Sequence, residues 1–383
     1  MPTVQEIFPQ KKKLGFGLMR LPLLREGDPA SIDLEQVKSM VDLFLERGFS
    51  YFDTAIMYCG RKSQNAVKAV LAQRHPRESF SLATKLHCEY FHTLEERDAI
   101  FRQQLEDTGV SFFDYYLLHD ISADHYPVYE SMECFSWLLQ KQREGLVRHV
   151  GFSFHDNAGL LERVLTEHPE MEFVQLQLNY LDWENQAVQS RKCYETCLRH
   201  GKPVIVMEPV RGGNLAHLPP EVEAILKARN PQASIPSWAI RFAASPRNVG
   251  MVLSGMSNLE QMRDNLSFME EFQPLDPQEQ QVLEEAVDTI RKSQEIPCTG
   301  CAYCMDGCPR DIPIPRCFSL YNSYRLEERC HLPFRTQQMY YNRMALTHGT
   351  ASQCLECHRC ERLCPQHLPI PQLLKKVAQV FKK

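Results

Sequence analysis

The chain has 383 residues, 43% of them hydrophobic and 24% charged, with a formal net charge of −5. This composition excludes a disordered chain, and without a long Lys/Arg run it argues against a nucleic-acid partner. No stretch approaches the roughly 18 apolar residues of a membrane span, and MPTVQEIFPQ lacks an apolar signal core, so a cytoplasmic protein off the membrane is expected.

From residue 14 to about 270, strand-like and helix-like stretches alternate. LGFGLMRL is a short apolar run, followed by the helical periodicity of LEQVKSMVDLFLERG. FSYFDTA reads as a strand, with a helix over residues 63–74. SFSLATKL and a helix over 93–108 follow, then DYYLLHD and a helix through MECFSWLLQKQREG. VRHVGFSF pairs with GLLERVLTEH, and EFVQLQLNY with AVQSRKCYETCLRHG. PVIVMEPV leads into helical pieces through Leu226 and Phe242, and NVGMVLSGM into LEQMRDNLSFM. The strands near Tyr115, Phe173 and Val204 are mostly apolar, as strands of a parallel sheet buried on both faces are. Eight strand–helix units over this length predict an α/β fold, a (β/α)8 TIM barrel. An open doubly wound sheet is the alternative, but it would carry G-x-G-x-x-G after its first strand. Only Gly15-Phe-Gly17 stands there.

In such a barrel, catalytic groups project from the C-terminal ends of strands. Those ends offer Asp53 in FDTA, Tyr58 five residues on, Lys85 in ATKL and His119 in LLHD. A carboxylate, a phenol, an ammonium and an imidazole at one mouth suit carbonyl reduction. A phenol near its ordinary pKa of about 10 is a weak acid at pH 7. An ammonium nearby is expected to lower that value by about 1 to 3 units. Asp53 would keep Lys85 charged, His119 would position the carbonyl oxygen, and Tyr58 would donate the proton.

DTA…Y, the TK strand end and LLH, in this order, resemble the aldo-keto reductase family over about residues 14–270. The resemblance implies a nicotinamide cofactor held at the barrel mouth and a tetrad of Tyr58, Lys85, Asp53 and His119. It also implies that Ser153 and Gln175 contact the nicotinamide amide, with Asn179 a further common asparagine. EPVRGGNL resembles the pyrophosphate loop, with Gly212 and Gly213 allowing close backbone approach. SGMSNLEQMRDNL resembles the adenosine end, with Gly255, Ser257, Gln261 and Asn265 as contacts.

The chain departs from the family's pattern in three places. The family's Ser-Asn pair reads Ser153-Phe154-His155. Gln261 stands where NADPH-preferring members place an arginine, with Arg263 and Arg247 as substitutes at hand, so the expected cofactor is NADPH or NADH. Met207-Glu208-Pro209 replaces the aromatic that usually stacks on the nicotinamide. Cys59, His155 and Glu208 are further candidates for substrate contact at the same mouth, a bystander thiol being the plainer reading of Cys59. The loop 120–130 and LDWENQ are candidate lid pieces, with Trp183 as a pocket wall.

After the barrel, DPQEQQVLEEAVDTIRKSQEI reads as a helix opening at Pro277, a proline suited to the first helical position. It leads to a run written twice. CTGCAYCMDGCPRDIPIP carries Cys298, Cys301, Cys304 and Cys308, and 56 positions on CLECHRCERLCPQHLPIP carries Cys354, Cys357, Cys360 and Cys364. Each copy is C-x2-C-x2-C-x3-C-P, the spacing of bacterial ferredoxins, and predicts two [4Fe-4S] clusters. Zinc is the alternative, but its sites show pairs of cysteines rather than triplets with a distant fourth. By analogy with those ferredoxins, the fourth cysteine of each run serves the other cluster. Cys298, Cys301, Cys304 and Cys364 then form one set, and Cys354, Cys357, Cys360 and Cys308 the other. The long spacer between the runs favours a small, mainly helical module. For most of the other seven cysteines (59, 88, 134, 193, 197, 317 and 330) a buried free thiol is the default reading.

The expected organisation is a barrel over 1–272, a linker helix over 273–297 and a two-cluster ferredoxin-like domain over 298–383. The chain is similar throughout to the aldo-keto reductase subgroup with such a C-terminal module. The expected function is an NAD(P)-dependent oxidoreductase acting on a small carbonyl or alcohol, coupled to or scaffolded by the clusters, with a redox partner protein. The alternative is an electron-transfer or docking protein whose barrel binds without turnover. A flavin would convert two electrons to one, but no motif supports it.

Overall fold

The computed structural model describes residues 3–9, 12–185, 188–329 and 336–381. Eight parallel strands close into a barrel in sequence order. They are β1 (Leu14–Gly17), β2 (Tyr51–Asp53), β3 (Ser81–Leu86), β4 (Phe113–Ile121), β5 (Val147–Phe154), β6 (Phe173–Gln177), β7 (Val204–Met207) and β8 (Val249–Ser254). Closure rests on β1 pairing β8, with Gly15 opposite Leu253. Each strand is followed by helix, so the expected α/β barrel is what the chain forms.

Local chemistry sets the helix ends. Asp33 accepts from Gln36 N to cap Leu34–Glu46, and Thr93 accepts from Glu96 N to cap Leu94–Thr108. That second helix stops at Gly109, whose φ of 70° suits glycine. The predicted helix over 63–74 is broken into Ser63–Val67 and a π-helical turn, Lys68–Ala72.

The main core lies between the strands and the outer helices. A second cluster fills the barrel interior, to which the N-terminal turn Val4–Ile7 contributes Ile7, and Phe8 just after it joins the same cluster. Phe8 stacks on Tyr115 with ring centroids 5.4 Å apart, and Tyr115 donates to the Ile7 carbonyl at 2.8 Å. A Cβ on Gly250 would fall 2.2 Å from the Phe8 ring, so glycine there makes room for this plug.

The chain divides into two compact units. The first comprises Met1–Trp183, Ser190–Val210 and Pro236–Asp276, and carries all eight strands. The second comprises Glu184–Gln189, Arg211–Ile235 and Pro277–Lys383. Within it the helices Pro220–Arg229 and Pro277–Lys292 pack together, and Ile314–Arg329 packs against Thr336–Thr347 and Ile370–Val380. The 56-residue repeat is visible here, because Ile314 and Ile370, each the isoleucine of a Pro-Ile-Pro, both open helices. Cys59, Cys88, Cys134, Cys193, Cys197 and Cys317 are buried free thiols as expected, and Cys330 lies outside the described residues.

Candidate active site

In the first unit, four strand-end residues converge. Asp53 ends β2 and Lys85 lies near the end of β3, and both are buried at 2% and 0% exposure. Lys85 Nζ donates to Asp53 Oδ1 at 2.5 Å, to the Thr54 carbonyl at 3.0 Å and to Tyr58 Oη at 3.2 Å. All three ammonium protons are therefore used. Burial works against the Lys85 charge, but Asp53, and after it Tyr58, outweigh burial and raise its pKa.

Tyr58 is half-buried and opens a left-handed turn, with φ of 50°, 58° and 69° at Cys59, Gly60 and Arg61. The Cys59 thiol sits 3.5 Å from the Leu18 and Met19 carbonyls and tethers that turn to the end of β1. Burial pushes the Tyr58 phenol above its ordinary value, against the pull of Lys85. The lowering expected from the sequence is thus corrected: desolvation exceeds the ammonium's effect, and the phenol stays protonated.

The ladder between β4 and β5 shifts register between Leu118 and Ile121, which frees His119 and Asp120 from regular pairing. The His119 ring stands edge-on to Tyr58 at 6.0 Å. Burial, then Lys85 and His87, hold its pKa well below 6.5, so the imidazole is neutral. Its Nδ1 is buried without a hydrogen-bond partner.

The remaining expected contacts are placed as follows. Ser153 Oγ accepts from Asp120 N at 2.7 Å. Gln175 is buried beside Met207, and its Oε1 has no partner. Ser153 keeps a hydroxyl proton to give and Gln175 an oxygen to accept with, which is what a primary carboxamide needs, so these two fit a nicotinamide. Gln261 Oε1 accepts from Ser257 N at 2.7 Å, and Asn265 turns inward to donate to Ser254 Oγ at 2.7 Å. Gly255 lies beside the Arg20 side chain. Asn179 donates to Asp182 and to the Glu208 carbonyl. Glu208, at φ 56°, pairs with Arg20 at 3.3 Å. The His155 amide donates to the Ile121 carbonyl. Trp183 packs against Tyr194 and Phe242. Gly212 and Gly213 belong to the second unit and take φ of 69° and 105°, conformations that only glycine adopts at low cost.

In the second unit the eight cysteines divide into two hollows. One is lined by Cys298, Cys301, Cys304 and Cys364. The other is lined by Cys308, Cys354, Cys357 and Cys360. Each hollow draws its fourth thiol from the other run, the grouping that cross-ligation requires. The Gly300 and Glu356 amides, 56 positions apart, each point to a cysteine sulfur at 3.4 Å, Cys298 and Cys354. Four thiols around an otherwise apolar hollow fit an iron–sulfur cluster in each.

Sequence reading missed one group at the mouth. His87, Asp120 and His125 bring ligand atoms within 4.8 Å of one another. Only the odd histidines of KLHCE and SADHY signalled it.

Comparison with known proteins agrees with this architecture. The aldo/keto reductase family model matches residues 13–288, and the chain belongs to that family, which points to an oxidoreductase. A 4Fe-4S dicluster domain matches residues 297–369. Among solved structures, an aldo-keto reductase from Bacillus halodurans in its holo form is 23% identical with a TM-score of 0.57. It aligns over 72% of this chain and 91% of that one. An aldo/keto reductase from Klebsiella pneumoniae, in complex with NADP and acetate, is 17% identical with a TM-score of 0.56, over 71% and 90% of the two chains. At these identities the likeness shows the fold. A curated relative, acetyl-CoA decarbonylase/synthase complex subunit alpha 1 of Methanosarcina acetivorans, is 29% identical over 98 residues. That match spans 25% of this chain and 9% of the relative. Among the described residues, no helix is long and apolar enough to cross a membrane.

Proposed function

We propose that this protein transfers hydride between NADH or NADPH and a small carbonyl or alcohol, with Tyr58 as general acid and base. The observation that carries the reading is the buried Lys85, which joins Asp53 at 2.5 Å and Tyr58 at 3.2 Å. Asp53 holds the ammonium charged and in place. The ammonium donates to the phenol oxygen, so the phenol proton is left to face the substrate oxygen, and the phenolate formed after transfer is stabilised. His119 supplies an N–H beside that oxygen. Ser153 and Gln175 would hold the carboxamide of the nicotinamide and so orient its ring, the group that would supply or take up the hydride.

The two cysteine sets would hold [4Fe-4S] clusters, which would supply one-electron chemistry or a scaffold beside the barrel. Glu208 favours a second reading. A carboxylate paired with Arg20 stands where the family stacks an aromatic, which suits a barrel that binds nucleotide or partner without turnover.

The test is Tyr58→Phe in protein purified and assayed without oxygen, both clusters loaded. Carbonyl reduction should fall by about 10² to 10⁴, with nicotinamide binding retained by fluorescence titration. Unchanged turnover would sink the mechanism. Nicotinamide binding by the wild type without reduction of any carbonyl in a broad panel, but with cluster reduction by a ferredoxin, would establish the second reading.

A further inference from the structure

His87, Asp120 and His125 come from three places that the barrel brings together. His87 follows the end of β3 by one residue, Asp120 lies in the irregular end of β4, and His125 stands in the turn beyond it. Both imidazoles are buried, at 3% and 7% exposure. Asp120 Oδ2 lies 3.9 Å from His87 Nε2 and 3.9 Å from His125 Nδ1. These separations are too long for hydrogen bonds. The Asp120–His87 separation is close to the distance of about 3.4 Å between two ligands on one tetrahedral zinc, given bonds near 2.1 Å, and the three residues bring ligand atoms within 4.8 Å of one another.

We infer that His87, Asp120 and His125 form a binding site for a divalent transition-metal ion, with zinc the cation it fits. Two imidazoles and one carboxylate are a borderline donor set that suits zinc over magnesium, and they leave a coordination position for water. The surroundings supply the outer support that metal-binding histidines need. His125 Nδ1 lies 2.9 Å from the Asp120 carbonyl, which fixes its tautomer and leaves Nε2 as the donor atom. Asp124 Oδ2 is 3.8 Å from that Nε2. His87 must change. Its Nδ1 now accepts from Glu89 N at 3.2 Å, so Nε2 carries the proton. On metal binding the proton moves through solvent from Nε2 to Nδ1. The Glu89 carboxylate, with Oε2 4.0 Å away, then replaces the amide as partner.

The ion would tie the segment after β3 to the segment after β4. The His119 ring is 5.2 Å from that of His87, so the clamp fixes one wall beside the candidate tetrad. None of this depends on the hydride-transfer reading.

The experiment uses the full chain with both clusters loaded, dialysed without oxygen against zinc at micromolar concentration. Metal per chain is then measured by elemental analysis, with magnesium in a parallel arm. One zinc per chain beyond an unchanged iron content is expected, with no magnesium retained. His125→Gln and Asp120→Asn should each weaken zinc binding at least 100-fold, and Glu89→Gln about 10- to 100-fold. Asparagine tolerates the left-handed φ of 63° at position 120, so that variant should keep its fold, with iron content as the check. Zinc should also raise the thermal midpoint of the wild type and not of the two ligand variants. Three results would overturn the site: no zinc retained, zinc taken up at the expense of iron, or zinc binding unchanged in both ligand variants.

Discussion

The barrel mouth and the cysteine module gather reactive side chains in opposite ways. At the mouth, Asp53, Tyr58, Lys85 and His119 come from the ends of three strands, and one buried ion pair ties them together. In the module, two runs of 11 residues each carry four cysteines, and each hollow borrows its last cysteine from the other run. The first arrangement concentrates dependence on one group, Lys85, which three acceptors share. The second spreads dependence over both halves of a repeat, so neither run can complete a site alone. A replacement at the mouth should therefore act through electrostatics, and one in the module through metal content.

Lys85→Met should produce the largest effect. It strands the Asp53 carboxylate, 2% exposed, whose Oδ2 already lacks a partner. Breaking a buried pair by removing one partner costs about 3 to 5 kcal/mol. Carbonyl reduction should fall by at least about 10², and the thermal midpoint should drop by several degrees. Asp53→Asn/Lys85→Met removes both charges and should recover much of the stability without the activity. Full activity in Lys85→Met would separate the ion pair from the chemistry at the barrel mouth.

The module is tested by pairing replacements across the runs. Cys364→Ala should disturb the same electron paramagnetic resonance signal as Cys298→Ala. Cys308→Ala should disturb the other one, together with Cys354→Ala. Iron should fall from about eight per chain toward about four if one cluster is lost at a time. If Cys364→Ala instead grouped with Cys354→Ala, each run would hold its own cluster, and the hollows would be misassigned.

Most of the barrel was legible because its strands are short apolar runs between turn residues, and burial on both faces leaves that pattern in the sequence. The tetrad was legible because strand ends locate it without any need for side-chain geometry. The cysteine sets were legible because the spacing repeats at 56. What stayed hidden depends on contacts between distant segments. The N-terminal turn is too short for periodicity to show, and only its fit against Tyr115 and Gly250 reveals Phe8 as a plug. The helix over 63–74 looked continuous, yet it changes to a π-helical turn after Val67, and the Cys59–Arg61 turn before it is left-handed, held by the Leu18 and Met19 carbonyls. His87 and His125 are 38 residues apart, and only β3 lying beside β4 brings them together.

The direction of the Tyr58 shift gives the smallest and sharpest test. Lys85 was expected to lower this phenol, whereas burial leaves it raised. The charged and titratable groups around it are Lys85, Asp53, Glu208 and His119. A proton donor works in its neutral form, which persists below its pKa. With that pKa above 10, the neutral fraction hardly changes between pH 7 and pH 9. The rate of carbonyl reduction at saturating nicotinamide should therefore be flat across that range. A phenol lowered to about 8 would be only about one-tenth neutral at pH 9, and the rate would fall roughly tenfold. A flat profile says that desolvation sets the acid at the barrel mouth. A tenfold fall that Lys85→Arg displaces to another pH would say that the ammonium sets it. The buried pair would then tune the phenol directly as well as holding Lys85 in place.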